Sequence, residues 1–352
     1  MWFSARGQPV ERCQVVFFVP DLYGAEAVRM LPSDIVRERY AELERWRARS
    51  ISNPLTDDRR DAVLCSLFGI TVPADQDTPS ASLSRLCDLD KSDLSDPARY
   101  WLRADPVHLR ADQGRVLMIG ADALRLDAEA CAELVADINS HVAADGLHLY
   151  GPAAKRWYLS TGETPQIRTT PWRTIVGEDI APYLPSGPDA ARWRALMNEI
   201  QMVLYASEVN RRRLEQGELP VNSVWFWGGG RLPDRGRPEW DAVWSDDTLA
   251  LGLAAYHGVR GLPTPSGAES WRASATGARH LIMVDGGAAG VPFGEADARL
   301  AFAEEVERRW LTPLAAQLRD GELTSVDLYP GDGHYYHVTG ALLRRWWRRR
   351  SP

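Results

Sequence analysis

Apolar runs alternate along the chain with stretches in which apolar residues recur at helical spacing. The runs have the length of buried parallel strands and end in Asp, Gly or Pro; they lie at 13–22, 222–227, 280–287 and 324–328. The helical stretches lie at 25–49, 188–217 and 295–318. Strands that alternate with helices predict an α/β fold, a three-layer sandwich around a mostly parallel sheet.

The pattern of apolar and polar residues changes between residues 99 and 162. Two stretches there alternate between apolar and polar residues like strands, and Asp127 then caps a helix that Gly146 closes. The segment before it, 71–97, is rich in Pro, Ser and Asp and reads as a loop. We therefore expect an α/β core formed by 1–98 and 163–352, with 99–162 as an inserted α+β subdomain.

Residues that could bind a ligand follow the predicted core strands. Asp21, Asp285 and Asp332 come after apolar runs, and Gly228, Gly229, Gly230 and Arg231 follow the run at 222–227. In parallel α/β sheets, ligands bind outside the carboxyl ends of the strands. These residues are therefore the candidates for a strand-end pocket. Without a cation between them, the three aspartates should also repel one another.

The triple glycine in "VNSVWFWGGGRLP", 221–233, has two interpretations. It lacks the GxxxxGK[ST] pattern of a phosphate-binding loop, and no helix opens after it as a dinucleotide-binding GxGxxG would require. Glycines at a strand end allow close approach, either of a neighbouring element or of a ligand. Packing and turn geometry is the favoured interpretation, and the lining of a ligand pocket stays open.

Metal binding and nucleophilic catalysis have weak candidates. Asp332, His334 and His337 lie within six residues, and Asp21 and Asp285 could add oxygen ligands. A two-metal phosphotransfer site needs about six protein ligands, so structural histidines and no cofactor are favoured over two divalent metals, Mn or Zn. After Asp21 the first serine or threonine is Ser33, and no GxSxG elbow occurs.

Charge and composition exclude some partners. The net charge of −7 argues against broad nucleic-acid binding, and the four cysteines form no CxxC pair. No apolar run has the length of a signal peptide or a transmembrane segment, so we expect a cytoplasmic protein. The abundant tryptophans and the tail "LLRRWWRRR", 342–350, leave open a protein–protein adaptor with a Trp-rich surface.

One long segment resembles a known family. The stretch 198–233 is similar to the helix-plus-strand signature of archaeal-type cofactor-independent phosphoglycerate mutases, which belong to the alkaline phosphatase superfamily. The resemblance rests on the positions Asn210, Arg211, Pro220, Asn222, Trp225, Trp227, Gly228, Gly230 and Pro233. Over nearly the whole chain, the sequence also resembles bacterial regulatory proteins of the RpfE type. The resemblance implies an alkaline-phosphatase-like core with an inserted subdomain.

The chain departs from the family where the family holds its metals and nucleophile. Leu22 replaces the Gly after the first Asp, and no Ser follows closely. The Pro-Pro-His-Asp element becomes "TTPWRT" at 169–174, the Asp-Glu-Ala-Gly-His stretch becomes "VDGGAAGVP" at 284–292, and the Asp-His pair becomes "GDGHYYH" at 331–337. We therefore expect a degenerate relative without phosphotransfer activity, with a regulatory or binding role. The expected partner is a protein or a small phosphorylated metabolite, and the alternative is an active metal-dependent phosphomutase or phosphatase.

Overall fold

The computed structural model describes residues 13–20, 22, 39–90, 99–285 and 296–344. The candidate Asp21, Gly286–Gly287 of the "VDGG" stretch and the tail from residue 345 onward lie outside this range. The chain divides into two compact units. The first comprises the described residues of Met1–Gly69, Gly236–Gly287 and Gly294–Pro352, and the second comprises those of Ile70–Arg235.

The regular elements are numbered in chain order. The strands are β1 (Cys13–Phe18), β2 (Ile51–Pro54), β3 (Tyr100–Asp112), β4 (Arg115–Ile119), β5 (Leu147–Ala153), β6 (Arg156–Thr161), β7 (Ser223–Gly230), β8 (Ala242–Trp244), β9 (Arg260–Leu262), β10 (Arg279–Met283), β11 (Leu323–Tyr329) and β12 (His334–Val338). The helices are α1 (Ala41–Arg49), α2 (Arg60–Ser66), α3 (Ser80–Asp88), α4 (Ala128–Val142), α5 (Ala190–Ala206), α6 (Glu208–Glu215), α7 (Thr248–His257), α8 (Ala268–Ser274), α9 (Ala296–Val306), α10 (Thr312–Asp320) and α11 (Gly340–Leu343). A π-helical turn, Glu307–Leu311, joins α9 to α10.

The first unit is built on a seven-stranded sheet in the order β2-β12-β11-β1-β10-β8-β9. The strands from β11 to β9 are parallel, and β12 and β2 add an antiparallel edge. Both faces of β1 are covered: Val15 and Phe17 lie in the cluster formed with α1, the π-turn and α10, and Val16 and Phe18 are buried on the other face. Burial on both faces explains why the central strands are continuous apolar runs. The predicted α/β class with a mostly parallel sheet is confirmed.

The second unit has its own sheet, in which β3 is the longest strand. It pairs with β4, with β6 and with β7, and β5 completes the sheet next to β6. All of these pairings are antiparallel. The core contains residues of α4, of α5 and of the sheet, among them Leu134, Trp193 and Phe226.

The second unit contains the predicted insertion 99–162 and extends beyond it. The sequence pattern places the strand at 222–227 in the parallel sheet of the core, but the strand forms β7 and pairs antiparallel with β3. Its apolar run resembles a parallel strand because β7 is buried along nearly its whole length. Burial alone does not tell which sheet a strand joins, so the prediction that the glycines after it belong to the core is wrong.

Candidate functional site

Three carboxylates and one guanidinium meet at the carboxyl end of the parallel sheet in the first unit. Arg60 begins α2, Asp247 is the N-cap of α7 shortly after β8, and Asp285 follows β10 by two residues. Since β8 and β10 are adjacent parallel strands, their carboxyl ends lie at the same edge of the sheet. This is the edge at which α/β proteins bind ligands. We call these three residues and Asp61 the Arg60 cluster.

The guanidinium of Arg60 donates to all three carboxylates. Its Nη2 lies 2.7 Å from Oδ2 of Asp247 and 2.8 Å from Oδ2 of Asp285. Its Nη1 lies 2.8 Å from Oδ1 of Asp61. Burial alone would lower the pKa of Arg60, but the negative charges of Asp247, Asp61 and Asp285 outweigh it and hold that pKa well above its ordinary value. The cluster therefore contains one permanently charged guanidinium and three carboxylates that contact it.

Asp247 is fixed by contacts of its own. Its Oδ1 accepts hydrogen bonds from the backbone N–H groups of Leu249 (2.9 Å) and Ala250 (3.0 Å), which caps α7. Its backbone N–H donates to the hydroxyl of Ser245, 3.0 Å away. The second carboxylate oxygen is thereby aimed at Arg60. Of the cluster, sequence reasoning selects Asp285 alone. The missed signal is the Ser-x-Asp cap at 245–247 directly after a short strand, which places a second carboxylate beside the first.

Asp332, His334 and His337 make local contacts in the antiparallel edge. The carboxylate of Asp332 accepts from the backbone N–H of His334 (3.2 Å) and from the hydroxyl of Tyr336 (2.7 Å). Burial and this hydrogen bond raise the pKa of Tyr336 to about 12. His337 faces Asp327 across β11 and β12, with 2.6 Å between Nδ1 and Oδ1. These groups fasten the β11–β12 hairpin.

Asp332 and Asp285 are not direct neighbours. They follow β11 and β10, and β1 lies between those strands in the sheet. Two strand spacings correspond to about 10 Å. Each carboxylate also has its own donors, Tyr336 for Asp332 and Arg60 for Asp285. The repulsion expected between these two aspartates therefore has no geometric basis.

The described residues do not fit a pair of divalent metals. Among them, no three His, Cys, Asp or Glu side chains converge as a metal site would require. Asp285 and Asp247 converge, but on the guanidinium of Arg60. Asp332 and His337 are engaged within their hairpin. The weak metal candidates that the structure describes are thus placed in two separate networks, with Asp21 outside the described residues.

The glycines of β7 serve close packing in the second unit. A Cβ on Gly230 would lie 2.5 Å from Cβ of Pro79, and one on Gly229 would lie 2.5 Å from Oη of Tyr100. Gly228 has a φ of +64°, in the left-handed region that favours glycine. These contacts support the packing interpretation of the triple glycine. The side chain of the neighbouring Arg231 donates to the hydroxyl of Thr164, 2.8 Å away.

One tryptophan of the motif, Trp227, donates to a buried ion pair. Asp105 is fully buried, and its Oδ1 accepts from Nη2 of Arg103 at 2.7 Å. Its Oδ2 accepts the indole N–H of Trp227 at 2.8 Å and that of Trp172 at 3.0 Å. Trp225 donates instead to the carbonyl of Thr170, 2.7 Å away. The "WFWGGG" strand is therefore part of a structural network. The sequence signal is the Arg-x-Asp spacing in "RADPV", which places both charges on one face of β3.

The second unit also carries an apolar cavity of about 1190 Å³ beside α5 and α6. Tyr205, Met202 and Leu214 line it and are 92%, 73% and 61% exposed. The expected Trp-rich surface is absent from the described residues, because ten of their tryptophans are buried and Trp240 is half-buried. Tyr205, Met202 and Leu214 are the most exposed of the large apolar side chains in the described residues. In the ranges that the structure describes, each helix is too short or too polar for a membrane span.

Comparisons with known proteins agree with the resemblance in part of the chain. The chain is 32% identical over 133 residues to a probable 2,3-bisphosphoglycerate-independent phosphoglycerate mutase of Geobacter sulfurreducens, covering 37% of the chain and 33% of that protein. It is 29% identical over 194 residues to 2,3-bisphosphoglycerate-independent phosphoglycerate mutase 2 of Methanothermobacter thermautotrophicus, covering 48% of each. The chain thus spans half or less of the length of these relatives. No protein-family model matches it.

A solved structure shares the fold. The PH0037 protein from Pyrococcus horikoshii aligns with a TM-score of 0.51 at 13% sequence identity, over 94% of this chain and 87% of that one. At this identity the similarity concerns the fold alone. Segments of this chain are therefore similar in sequence to 2,3-bisphosphoglycerate-independent phosphoglycerate mutases, and the chain as a whole has an α/β fold like that of a known archaeal structure.

Proposed function

We propose that this chain is a phosphoglycerate-mutase-like protein that has lost metal-dependent phosphotransfer and acts as a regulatory or binding protein. The sequence similarity to the mutases supports the mutase-like origin of the chain. The Arg60 cluster supports the loss of metal-dependent phosphotransfer. A regulatory role would also agree with the resemblance to bacterial regulatory proteins of the RpfE type.

The observation that carries the proposal is the pairing of Asp247 and Asp285 with Arg60. A dication on the same carboxylate oxygens would lie close to the guanidinium. The dication carries two positive charges and the guanidinium carries one. At a separation of about 4 Å they repel by about 8 kcal/mol at an effective dielectric constant of about 20. The guanidinium cannot relieve this repulsion by losing its proton, because its pKa is raised well above the ordinary value. Arginine and a catalytic metal thus compete for the same ligands.

The lack of a nearby serine or threonine nucleophile also supports the loss of phosphotransfer activity. Covalent phosphotransfer of this kind needs a Ser or Thr close after the first metal-binding Asp, where the metals make it nucleophilic. After Asp21 the sequence reads "LYGAEAVRMLP" before it reaches Ser33. In the described residues of the strand-end region, Ser245 accepts the backbone N–H of Asp247. This serine belongs to the turn that caps α7.

A turnover assay tests the proposal. The purified protein is incubated with 3-phosphoglycerate, with and without added manganese, and the formation of 2-phosphoglycerate is followed. The mutase of Methanothermobacter thermautotrophicus is the positive control. We expect the control to turn over and this protein to show no formation above the rate without protein. Manganese-dependent formation at a rate comparable to that of the control would contradict the proposal and support the active-enzyme alternative.

A binding measurement tests whether the ligand is a small phosphorylated metabolite. Isothermal titration with 3-phosphoglycerate, in the presence of EDTA, asks whether the protein binds a small phosphorylated metabolite without metal. Saturable binding without turnover supports a metabolite-binding role. A flat titration removes this phosphorylated glycerate from the candidate ligands and leaves a protein partner as the expected ligand.

The exposed apolar face of the second unit supports a protein-binding role as the second candidate. Tyr205, Met202 and Leu214 surround a cavity of about 1190 Å³, and monomeric proteins rarely expose large contiguous apolar patches. The simplest occupant to test is a second copy of the chain. We expect sedimentation to show concentration-dependent association that Tyr205→Ser weakens. A wild type that stays monomeric throughout would contradict self-association through this face.

A further inference from the structure

We infer that the guanidinium of Arg60 takes the structural place of a divalent cation, and that its removal uncovers a divalent-cation site. The inference deepens the proposed function and rests on it, because it concerns how the strand-end carboxylates are neutralised without metal. The wild-type protein would use Arg60 as a built-in cation. A variant without that side chain would bind a hard dication between Asp247 and Asp285.

The geometry resembles that of a bridging cation. One nitrogen, Nη2 of Arg60, contacts an oxygen of Asp247 at 2.7 Å and an oxygen of Asp285 at 2.8 Å. The two oxygens therefore lie within two hydrogen-bond lengths of each other. Magnesium and calcium bind carboxylate oxygens at about 2.0–2.6 Å, so an ion that bridges the two oxygens would hold them at most about 5.2 Å apart. The two carboxylates would close to that separation once the guanidinium is removed. The remaining positions would be filled by water.

The carboxylates are positioned by contacts other than those to Arg60. Asp247 is held by the first N–H groups of α7. Asp285 follows directly on Val284, whose N–H donates to the carbonyl of Phe18 at 3.0 Å and continues the β1–β10 ladder. Asp61 is fixed within α2. Loss of the guanidinium would leave three negative charges at this edge with their backbones in place.

Arg60 differs from an ordinary surface arginine. The adjacent Arg59 pairs with Asp57 through a contact of 2.6 Å, whereas Arg60 pairs with three aspartates that come from three parts of the sequence. The two side chains are exposed to similar degrees, 33% for Arg59 and 28% for Arg60. Arg59→Ala is therefore a matched control: it removes the same charge from the same turn and leaves the cluster intact.

The test measures melting temperature and manganese binding for wild type, Arg60→Ala, Arg59→Ala and the double variant Arg60→Ala/Asp285→Asn. We expect millimolar manganese to raise the melting temperature of Arg60→Ala by about 2 °C or more and EDTA to abolish the rise. Wild type and Arg59→Ala should not respond. The double variant should lose most of the response, because it lacks one of the two bridging carboxylates.

Electron paramagnetic resonance of free manganese gives an independent readout, and Arg60→Gln provides a variant that keeps most of the side-chain stem. At least tenfold tighter manganese binding by either Arg60 variant than by wild type supports the inference. Equal binding in all variants, or a response to manganese that Asp285→Asn leaves unchanged, overturns it. Failure of this inference is distinguishable from failure of the proposed function, which would appear as manganese-dependent turnover by the wild type.

Discussion

The indole N–H of Trp227 donates to the fully buried carboxylate of Asp105 over 2.8 Å. The same carboxylate receives Arg103, so a motif tryptophan, a charge pair and the central strand of the second unit form one network. Hydrogen bonds to charged groups stabilise a fold more than those between neutral groups. The network therefore explains why the apolar strand contains a tryptophan at position 227, where phenylalanine would provide similar burial.

Replacement of Trp227 by Phe tests the importance of this donor. The change keeps an aromatic ring but leaves Asp105 with one donor fewer, so the free energy of unfolding should fall by about 2–3 kcal/mol. Trp225→Phe is the control, since Trp225 donates to the neutral carbonyl of Thr170 and should lose about 1 kcal/mol. Urea denaturation measures both. Equal losses for the two variants would contradict a special role for Asp105.

Gly230→Ala tests the packing interpretation of the triple glycine. The added Cβ would lie 2.5 Å from Cβ and 2.9 Å from Cα of Pro79, so part of the backbone must move. Overpacking of this kind lowers stability by about 1–3 kcal/mol. Gly162→Ala is the control, because a Cβ at Gly162 would meet no atom within 4 Å. Unchanged melting of Gly230→Ala combined with loss of ligand binding would instead favour the pocket interpretation.

Glu307 should make the stability of the first unit depend on pH near neutrality. It accepts the N–H groups of Glu42 (2.6 Å) and Leu43 (2.9 Å) and so closes the start of α1. Burial raises its pKa to about 7, against the opposing effects of the Leu43 hydrogen bond and Arg45. The folded pKa lies above the unfolded value, so this stabilising contribution is complete below about pH 4.5 and is lost as pH rises through about 7.

The matched variants for this prediction are Glu307→Gln and Glu305→Gln. The wild type should lose on the order of 3 kcal/mol between about pH 4.5 and 7 relative to Glu307→Gln. Glu305 is half exposed and pairs with Arg309, so Glu305→Gln should follow the wild type. Denaturant unfolding across this pH range gives the difference. A wild-type and a Glu307→Gln curve that run parallel would show that the buried carboxyl does not titrate there.

Asp332→Asn should lower stability by about 1 kcal/mol, because Asp332 accepts hydrogen bonds from Tyr336 and from the backbone of His334. The effect should be the same with EDTA and with manganese. Thermal melting under both conditions measures it. A loss seen only with manganese would place Asp332 in a metal site and contradict our assignment of the hairpin.

The α/β class and the mostly parallel sheet could be predicted because β1, β10 and β11 are buried on both faces and therefore appear as apolar runs. The partner of β7 could not, since its run is equally apolar and its pairing with β3 depends on contacts distant in sequence. The site could be predicted in part. Asp285 is recognisable from its position after a strand, but Arg60 lies 225 residues away and carries no local signal of its three partners.

The metal content of the wild-type protein tests the central claim most directly. The protein is incubated with manganese and zinc, desalted, and analysed by mass spectrometry for metal per chain. Because Arg60 already pairs with Asp247 and Asp285, we predict far less than one tightly held ion per chain. About two ions per chain, as a two-metal phosphotransfer site would hold, would contradict the account.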